Sequence, residues 1–377
     1  MTSMPPASWL DLSYDELSAE LRALGQPAFR AGQVFSWLSR GRDFPEMTNL
    51  PLALRQSLAQ ARPTGGVRIL TVRVSPKDGT RKYLLALCDG NIVEAVLMRY
   101  SYGCTLCLST QVGCRMGCTF CASTLNGLVR NLSPGEMLGT VAAVNREQLE
   151  LAGAGKKEER AITNLVLMGS GEPLDNYENV VKFLWLVNDA RGLHISHRNI
   201  SLSTCGLVEG IYSLAKSGLD VTLSISLHAP NDELRRTIMP IAKRYAISGL
   251  IDAARFYVKQ TGRRVIFEYS LIRGVNDTEA CAQELSKLLA RLQCHVNLIP
   301  LNEVKERGMK GTAQKDAHRF RARLEELGLS ATVRREMGAD IEGACGQLRR
   351  SYLEQKGGEC GDAAVCQSDP HGPGALA

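Results

Sequence analysis

Cys114, Cys118 and Cys121 stand in the run Cys-Arg-Met-Gly-Cys-Thr-Phe-Cys, three thiols separated by three residues and then by two. Iron–sulfur clusters are held by cysteine thiolates, and three of them in so short a stretch can hold three corners of a four-iron cluster. No fourth cysteine follows at ferredoxin spacing, which leaves one iron open to an outside ligand. A zinc site is the alternative. Its usual signature is two paired Cys/His clusters, and Cys104 with Cys107 just upstream keeps that option open on spacing alone.

The elements that must position these thiols alternate along the chain. Candidate strands at 105–110, 162–168, 199–204, 221–227, 265–271 and 296–301 are separated by helical patterns at 134–150, 177–190, 208–216, 247–260 and 278–292. Such strand–helix units argue a parallel sheet with helices outside, open or curled into an incomplete barrel. Ligands of such sheets sit at the carboxyl ends of the strands. The cysteine triplet follows the first candidate strand, Gly171-Glu172-Pro173 the second, and Ser203-Thr204-Cys205 ends the third. Ser226-Leu227-His228 ends the fourth and Pro300-Leu301-Asn302 the sixth. A helix at 315–327 and a strand at 331–335 precede the glycine-flanked Cys345.

Upstream, residues 8–60 show apolar positions at helical spacing, with Gly25 and Gly41 as punctuation and nearly balanced charge. This reads as a packing or docking module. From Val67 to Tyr100 the period changes to two, with hairpin turns at Lys77-Asp78-Gly79 and Asp89-Gly90-Asn91. Arg62, Arg68, Arg73, Lys77, Arg81, Lys82 and Arg99 outnumber the acids there, making this segment the better candidate for an RNA-facing surface. The domain division expected is 1–62 helical, 63–102 antiparallel β, 103–354 the α/β core, and 355–377 a disordered Gly-, Ala- and Pro-rich tail carrying Cys360, Cys366 and His371.

With 377 residues and 44% hydrophobic content the chain can bury a large core. A net charge of +6 is compatible with a polyanionic partner without demanding one. The N-terminus lacks a signal-peptide pattern and no apolar run reaches membrane-spanning length. Twelve cysteines then suit a reducing cytoplasm, with thiols kept for metal and redox work. Cys88, Cys205, Cys281 and Cys294 have no ligand partners in sequence and read as core thiols.

Cys114-x-x-x-Cys118-x-Phe120-Cys121 resembles the motif of radical S-adenosylmethionine (SAM) enzymes. Taken with Phe29-Arg30-Ala31-Gly32-Gln33-Val34, Met47-Thr48-Asn49-Leu50-Pro51, Gly171-Glu172-Pro173-Leu174-Asp175-Asn176, Ser226-Leu227-His228-Ala229-Pro230-Asn231, Gly274-Val275-Asn276-Asp277 and 340–348, the chain resembles the RlmN family from about Tyr14 to Leu353. Ser170 replaces a methionine found in many members, and Leu301-Asn302-Glu303 replaces an aromatic-Asn-Pro.

That resemblance implies an incomplete (β/α)6 radical SAM barrel with a small N-terminal helical domain and an antiparallel β extension. It implies a [4Fe-4S] cluster on Cys114, Cys118 and Cys121, and two SAM per turnover. Gly171 and Glu172 would receive SAM's amino group, while Ser203, Ser226, Leu227, His228 and Asn302 would hold its ribose and carboxylate. The implied reaction is methylation of C2 of an adenine in 23S ribosomal RNA and, in some members, tRNA. C2 is electron-poor, so direct transfer of an electrophilic methyl group fails and a radical route is needed. In the family's course Cys345 is methylated first and becomes linked to RNA through its activated methyl. Cys107 then resolves the adduct through a transient disulfide, and Glu94 takes the C2 proton. For Cys107 and Glu94 the residues alone suggest only a core thiol and a solvated carboxylate. A Cfr-like C8 methylation is the alternative; such sequences tend to have Ala where Pro173 stands. The implied setting is a cytoplasmic monomer, without membrane contact, served by an electron donor such as flavodoxin or ferredoxin. Arg115, Arg130, Arg334, Arg335, Arg349 and Arg350 flank the expected active face and are candidates for phosphate contacts, with the target base flipped or unfolded to reach the site.

Overall fold

The computed structural model describes residues 7–153, 160–302, 307–341, 348, 349 and 352. Three short helices come first: α1 (Tyr14–Ala23), α2 (Phe29–Ser39) and α3 (Leu52–Ala61). Ser13 starts α1 by accepting from the Glu16 N–H, while the Glu16 carboxylate accepts from the Ser13 N–H, a reciprocal pair that satisfies otherwise free donors. Leu17, Leu21, Val34, Phe35, Leu38 and Leu58 turn inward around Trp9, whose indole N–H donates to the Leu58 carbonyl at 3.0 Å.

Next, β1 (Arg68–Val74), β2 (Arg81–Ala86) and β3 (Ile92–Tyr100) run antiparallel to one another, and β3 pairs antiparallel with β4 (Gly103–Leu108). A separate hairpin, β5 (Gln111–Gly113) with β6 (Leu128–Asn131), brackets the cysteine loop. From β4 onward the main sheet is parallel: β7 (Asn164–Leu167), β8 (Ile200–Thr204), β9 (Thr222–Ser226), β10 (Val265–Leu271), β11 (Cys294–Pro300) and β12 (Ala331–Val333) follow in order. The crossovers carry α4 (Pro134–Leu151), α5 (Tyr177–Asn188), α6 (Val208–Lys216), α7 (Asp232–Ile238) with α8 (Ile247–Thr261), α9 (Glu279–Leu289) and α10 (Gln314–Glu326). The six strands expected from sequence are present, their ends within two residues of the expected bounds. The β5–β6 hairpin was not expected.

Strand alternation separates the two faces. Leu106, Leu108, Leu165, Leu167, Ile200, Leu202, Leu223, Ile225, Phe267 and Tyr269 join the main apolar core with the helices. Their alternates are Cys107, Val166, Ser201, Ser203, Ser224, Ser226, Glu268 and Ser270, so the other face is apolar around Cys107 and largely polar from β8 to β10. Among the described residues β1 and β12 do not pair, and the barrel stays open on that side. The segment after β12 spans the gap. Gly338 N–H donates to Asp78 Oδ2 and Ser75 Oγ to Asp340 Oδ1, both at 2.8 Å, and Met337 packs on Val96, Met98 and Cys107.

Part of the basic excess of residues 62–99 is paired within the protein, while Arg68, Lys77 and Arg99 stay exposed. Lys82 is fully buried against Glu94, Arg81 pairs with Glu147, Arg62 with Glu20, and Arg99 donates to Gln148. The expected tail from 355, with Cys360, Cys366 and His371, lies outside the described residues.

Candidate iron–sulfur and methyl-transfer site

The cysteine loop is built on backbone that only glycine permits. At Gly113 (φ +80°) a Cβ would fall 2.1 Å from the Gly127 carbonyl oxygen, and Cys114 N–H donates to that same carbonyl at 2.9 Å. Thr124 Oγ1 donates to the Cys121 carbonyl at 2.9 Å and lies 3.1 Å from that of Cys118, while Arg307 Nη2 donates to Thr124. Thr119 N–H donates to the Ile238 carbonyl at 3.0 Å, tying the loop to the end of α7. Cys114 and Cys118 are buried and Cys121 is half-buried.

Burial pushes the Cys114 thiol up to about 12 and Cys118 higher still, each neighbouring thiolate adding to the effect. Metal-free, these groups hold their protons; iron–sulfur ligation supplies the charge that releases them. Among the described residues no three His, Cys, Asp or Glu side chains gather as a single metal ion requires. Cys104 and Cys107 cannot form the second half of a zinc site, because three positions apart on β4 they face opposite sides of the sheet: Cys104 packs on the main core, Cys107 on Val96 and Met98. Three motif thiols without a second pair from Cys104 and Cys107 match a cluster with one open iron better than a four-ligand structural zinc site.

Along the strand ends, Glu172 is buried, its N–H donating to Gln111 Oε1 at 2.9 Å. Its carboxylate accepts from Cys205 N–H at 2.7 Å and Leu174 N–H at 3.0 Å. Burial raises its pKa against the pull of those amides. The Thr204 hydroxyl and the Cys205 thiol hydrogen-bond to it as well. Gly171, at φ +110°, lies so close to Gln111 that a Cβ would meet it at 2.7 Å. Ser203 and Ser226 face each other at 3.5 Å between hydroxyl oxygens.

His228 sits at φ +58°, and its Nδ1 accepts from Ser270 N–H at 2.9 Å, which places the ring proton on Nε2. Burial, then the nearby Arg235 charge, pull it down to about 3, so the ring is neutral. Phe120 meets it edge-on, ring centroids 4.9 Å apart. Leu227 is placed differently from its neighbours. Its side chain lies in the main core, its N–H donates to the Glu268 carbonyl and its carbonyl accepts from Arg235.

Cys107 lines a cavity of about 170 Å³ with Met168, Asn302, Arg334 and Arg335. Glu94 lies on the same face one strand over. Val96 pairs with Cys107, and diagonal neighbours in such a ladder are about 7–8 Å apart. Its carboxylate is 3.4 Å from Lys82 Nζ and accepts from the Arg349 N–H at 2.6 Å. Cys345 lies outside the described residues. Its downstream flank is held where Leu348 and Tyr352 pack on Leu84, Ile92 and Leu70.

Of the arginines expected to touch phosphate, Arg334 and Arg335 border the Cys107 cavity, and Arg115 is exposed but paired with Asp175. Arg130 is corrected: its side chain is 4% exposed, clamped between Asp89 and Glu136 at 2.7 Å each. Arg350 lies outside the described residues. Three buried residues escaped sequence reading: Lys82, Arg235 and Asn276. Asn276 Nδ2 donates to the carbonyls of His228 and Ser270, and its Oδ1 accepts from Ile272 N–H, each at 2.7 Å. Its place in the Gly274–Asp277 motif was the available signal.

Two family models match the chain: the radical SAM superfamily over residues 108–282, and the ribosomal RNA large subunit methyltransferase N-terminal domain over residues 8–62. A relative from Clostridium perfringens, named probable dual-specificity RNA methyltransferase RlmN, is 53% identical over 350 residues, covering 92% of this chain and 98% of the relative. The chain belongs to the RlmN family. A relative of the same name from Lachnospira eligens is 51% identical over 345 residues, covering 91% of this chain and 96% of the relative. The crystal structure of a radical SAM methyltransferase from Sphaerobacter thermophilus matches with a TM-score of 0.86 and 44% identity, covering 91% of this chain and 99% of that one. As a radical SAM RNA methyltransferase of the RlmN family, the protein uses a [4Fe-4S] cluster and SAM. Among the described residues no helix is long and apolar enough to cross a membrane.

Proposed function

We propose that the protein methylates C2 of an adenine in 23S ribosomal RNA and in tRNA, through a methylated Cys345 that Cys107 resolves. The observation that carries this reading is that Cys107 lies on the face away from the main core, in one cavity with Asn302 and diagonal to Glu94, where Arg349 is docked. Three peptide units separate Leu348 from Cys345, a span of at most about 11 Å.

When bound, the cluster and SAM supply one methyl group and, from a second SAM, the radical that activates it. Cys114, Cys118 and Cys121 hold the cluster. Gly171, Glu172, Ser203, Ser226, Leu227 (through its backbone), His228 and Asn302 orient SAM. Cys345 carries the one-carbon unit to the base. Glu94 takes the C2 proton from the Cys345-linked adduct, whose unpaired electron leaves to a one-electron acceptor of the iron–sulfur class, so that the ring regains its closed shell. Cys107 thiolate attacks the Cys345 sulfur; the sulfur–sulfur bond forms, the sulfur–carbon bond breaks toward the RNA, and protonation of that carbon completes the methyl group. An outside reductant then reopens the disulfide. Arg334 and Arg335, at the mouth of the cavity, supply phosphate contacts.

The reading extends to a cytoplasmic monomer reduced by a flavodoxin- or ferredoxin-like donor. Cluster-loaded protein incubated with SAM, reductant and either RNA tests the substrate, with the methyl position mapped by mass spectrometry. The expected product is 2-methyladenine in both RNAs; 8-methyladenine would overturn the C2 assignment.

A further inference from the structure

Beneath the cysteine loop lies a buried cation that forms no salt bridge among the described residues. Arg235, on α7, is fully buried. Its Nε donates to the Leu227 carbonyl at 3.1 Å, and its Nη2 to the carbonyls of Cys205 at 2.7 Å and Ser226 at 3.2 Å. Its Nη1 is buried without a hydrogen-bond partner among the described residues. The nearby acid of its own helix, Asp232, attracts it without a direct hydrogen bond and accepts from the Ile247 N–H. Carbonyl dipoles satisfy donors but do not cancel a charge, and an isolated buried charge is costly unless something of opposite sign stands close. Arginine cannot escape by giving up its proton.

A second source of negative charge is the cysteine loop, whose thiols become thiolates once a cluster binds. Ile238, at the end of α7, accepts from Thr119, between Cys118 and Cys121. Cys118 and Cys205 share one apolar cluster with Ile238, and Phe120, Cys121 and Leu234 pack against it. Cys205 is held from both sides: its N–H donates to Glu172 and its carbonyl accepts from Arg235, both at 2.7 Å. Arg235 therefore braces the ends of β8 and β9 while bringing a positive charge under the thiols.

We propose that Arg235 is a positioning residue that serves as the counter-charge of the iron–sulfur centre, making its one-electron reduction easier. The proposal rests on the reading that Cys114, Cys118 and Cys121 hold the cluster. Three thiolates outweigh the positive charge of the iron–sulfide core, and an electron from a low-potential donor adds one more negative charge. A fixed cation stabilises the reduced form more than the oxidised one, since net charge and surroundings set cluster potentials.

The test is an anaerobic redox titration, followed by electron paramagnetic resonance, of cluster-loaded wild type, Arg235→Gln and Arg235→Lys, with iron and sulfide content measured on each. We expect the glutamine variant to be at least tenfold harder to reduce, a fall of about 59 mV for a one-electron couple, and the lysine variant to stay near wild type. Loss of cluster from the glutamine variant alone also supports a need for the charge. An unchanged midpoint in the glutamine variant, an equal fall in both variants, or loss of cluster from both overturns the proposal. Wild type without a cluster would instead sink the three-thiol reading beneath it.

Discussion

Lys82 Nζ lies 3.4 Å from Glu94 Oε2, with side-chain exposures of 0% and 6%. At that separation and an effective dielectric near 20, two unit charges attract by about 5 kcal/mol. Removing one partner of a buried pair costs about 3–5 kcal/mol, because the other charge is left buried alone. Lys82→Met and Glu94→Gln should each be destabilising, the methionine variant by about that amount. The double variant should cost at least about 2 kcal/mol less than the sum of the two, as expected for residues in one contact. The exposed pair Arg255–Asp252, at 55% and 65% exposure, is the control and should couple by under about 1 kcal/mol. Urea unfolding of the cluster-loaded protein, read as midpoint and slope, gives all the required terms. A Lys82–Glu94 coupling below about 0.5 kcal/mol would refute the ion pair as a structural element, and with it the fixed placement of the carboxylate at the Arg349 docking point.

Raised thiol pKa values make the metal-free protein alkali-sensitive. Cys114 moves from 9.0 to about 12, so in that range the unfolded chain binds fewer protons than the folded one and stability falls as pH rises. From pH 9 to 10.5 the loss from this group is about 1.6 kcal/mol, the unfolded thiol being half ionised at the start. Cys114→Ala should lack that part of the slope in urea unfolding of metal-free protein, and parallel slopes would contradict it. Arg130→Ala should cost about 3–5 kcal/mol through its two stranded acids while leaving the salt slope of RNA binding unchanged. Arg334→Ala should lower that slope by about 1 without comparable destabilisation; the reverse pattern would exchange their roles.

What sequence carried well was local and periodic. Alternation set out the parallel strands, and placing motif residues at strand ends put Glu172, Ser203 and Ser226 along one edge. It failed where partners are far apart in the chain. Lys82 and Arg81 look like solvated charges until Glu94 and Glu147 are brought against them. Arg130 looks like a surface cation until Asp89 and Glu136 close on it. Arg235 stands in the polar run Asp232-Glu233-Leu234-Arg235-Arg236, which gives no sign that one of two adjacent arginines is fully buried. The choice of a cluster over zinc was legible in the motif through Phe120, and the strand adds that Cys104 and Cys107 face apart. The β5–β6 hairpin is too short to show a period, and its register shifts at Gly113.

The two-thiol transfer is tested most directly by trapping its covalent stage. Cluster-loaded Cys107→Ala, given SAM, reductant and substrate RNA, should accumulate an enzyme–RNA adduct that survives denaturation, while Cys345→Ala forms none. An adduct from both variants, or from neither, would contradict the account.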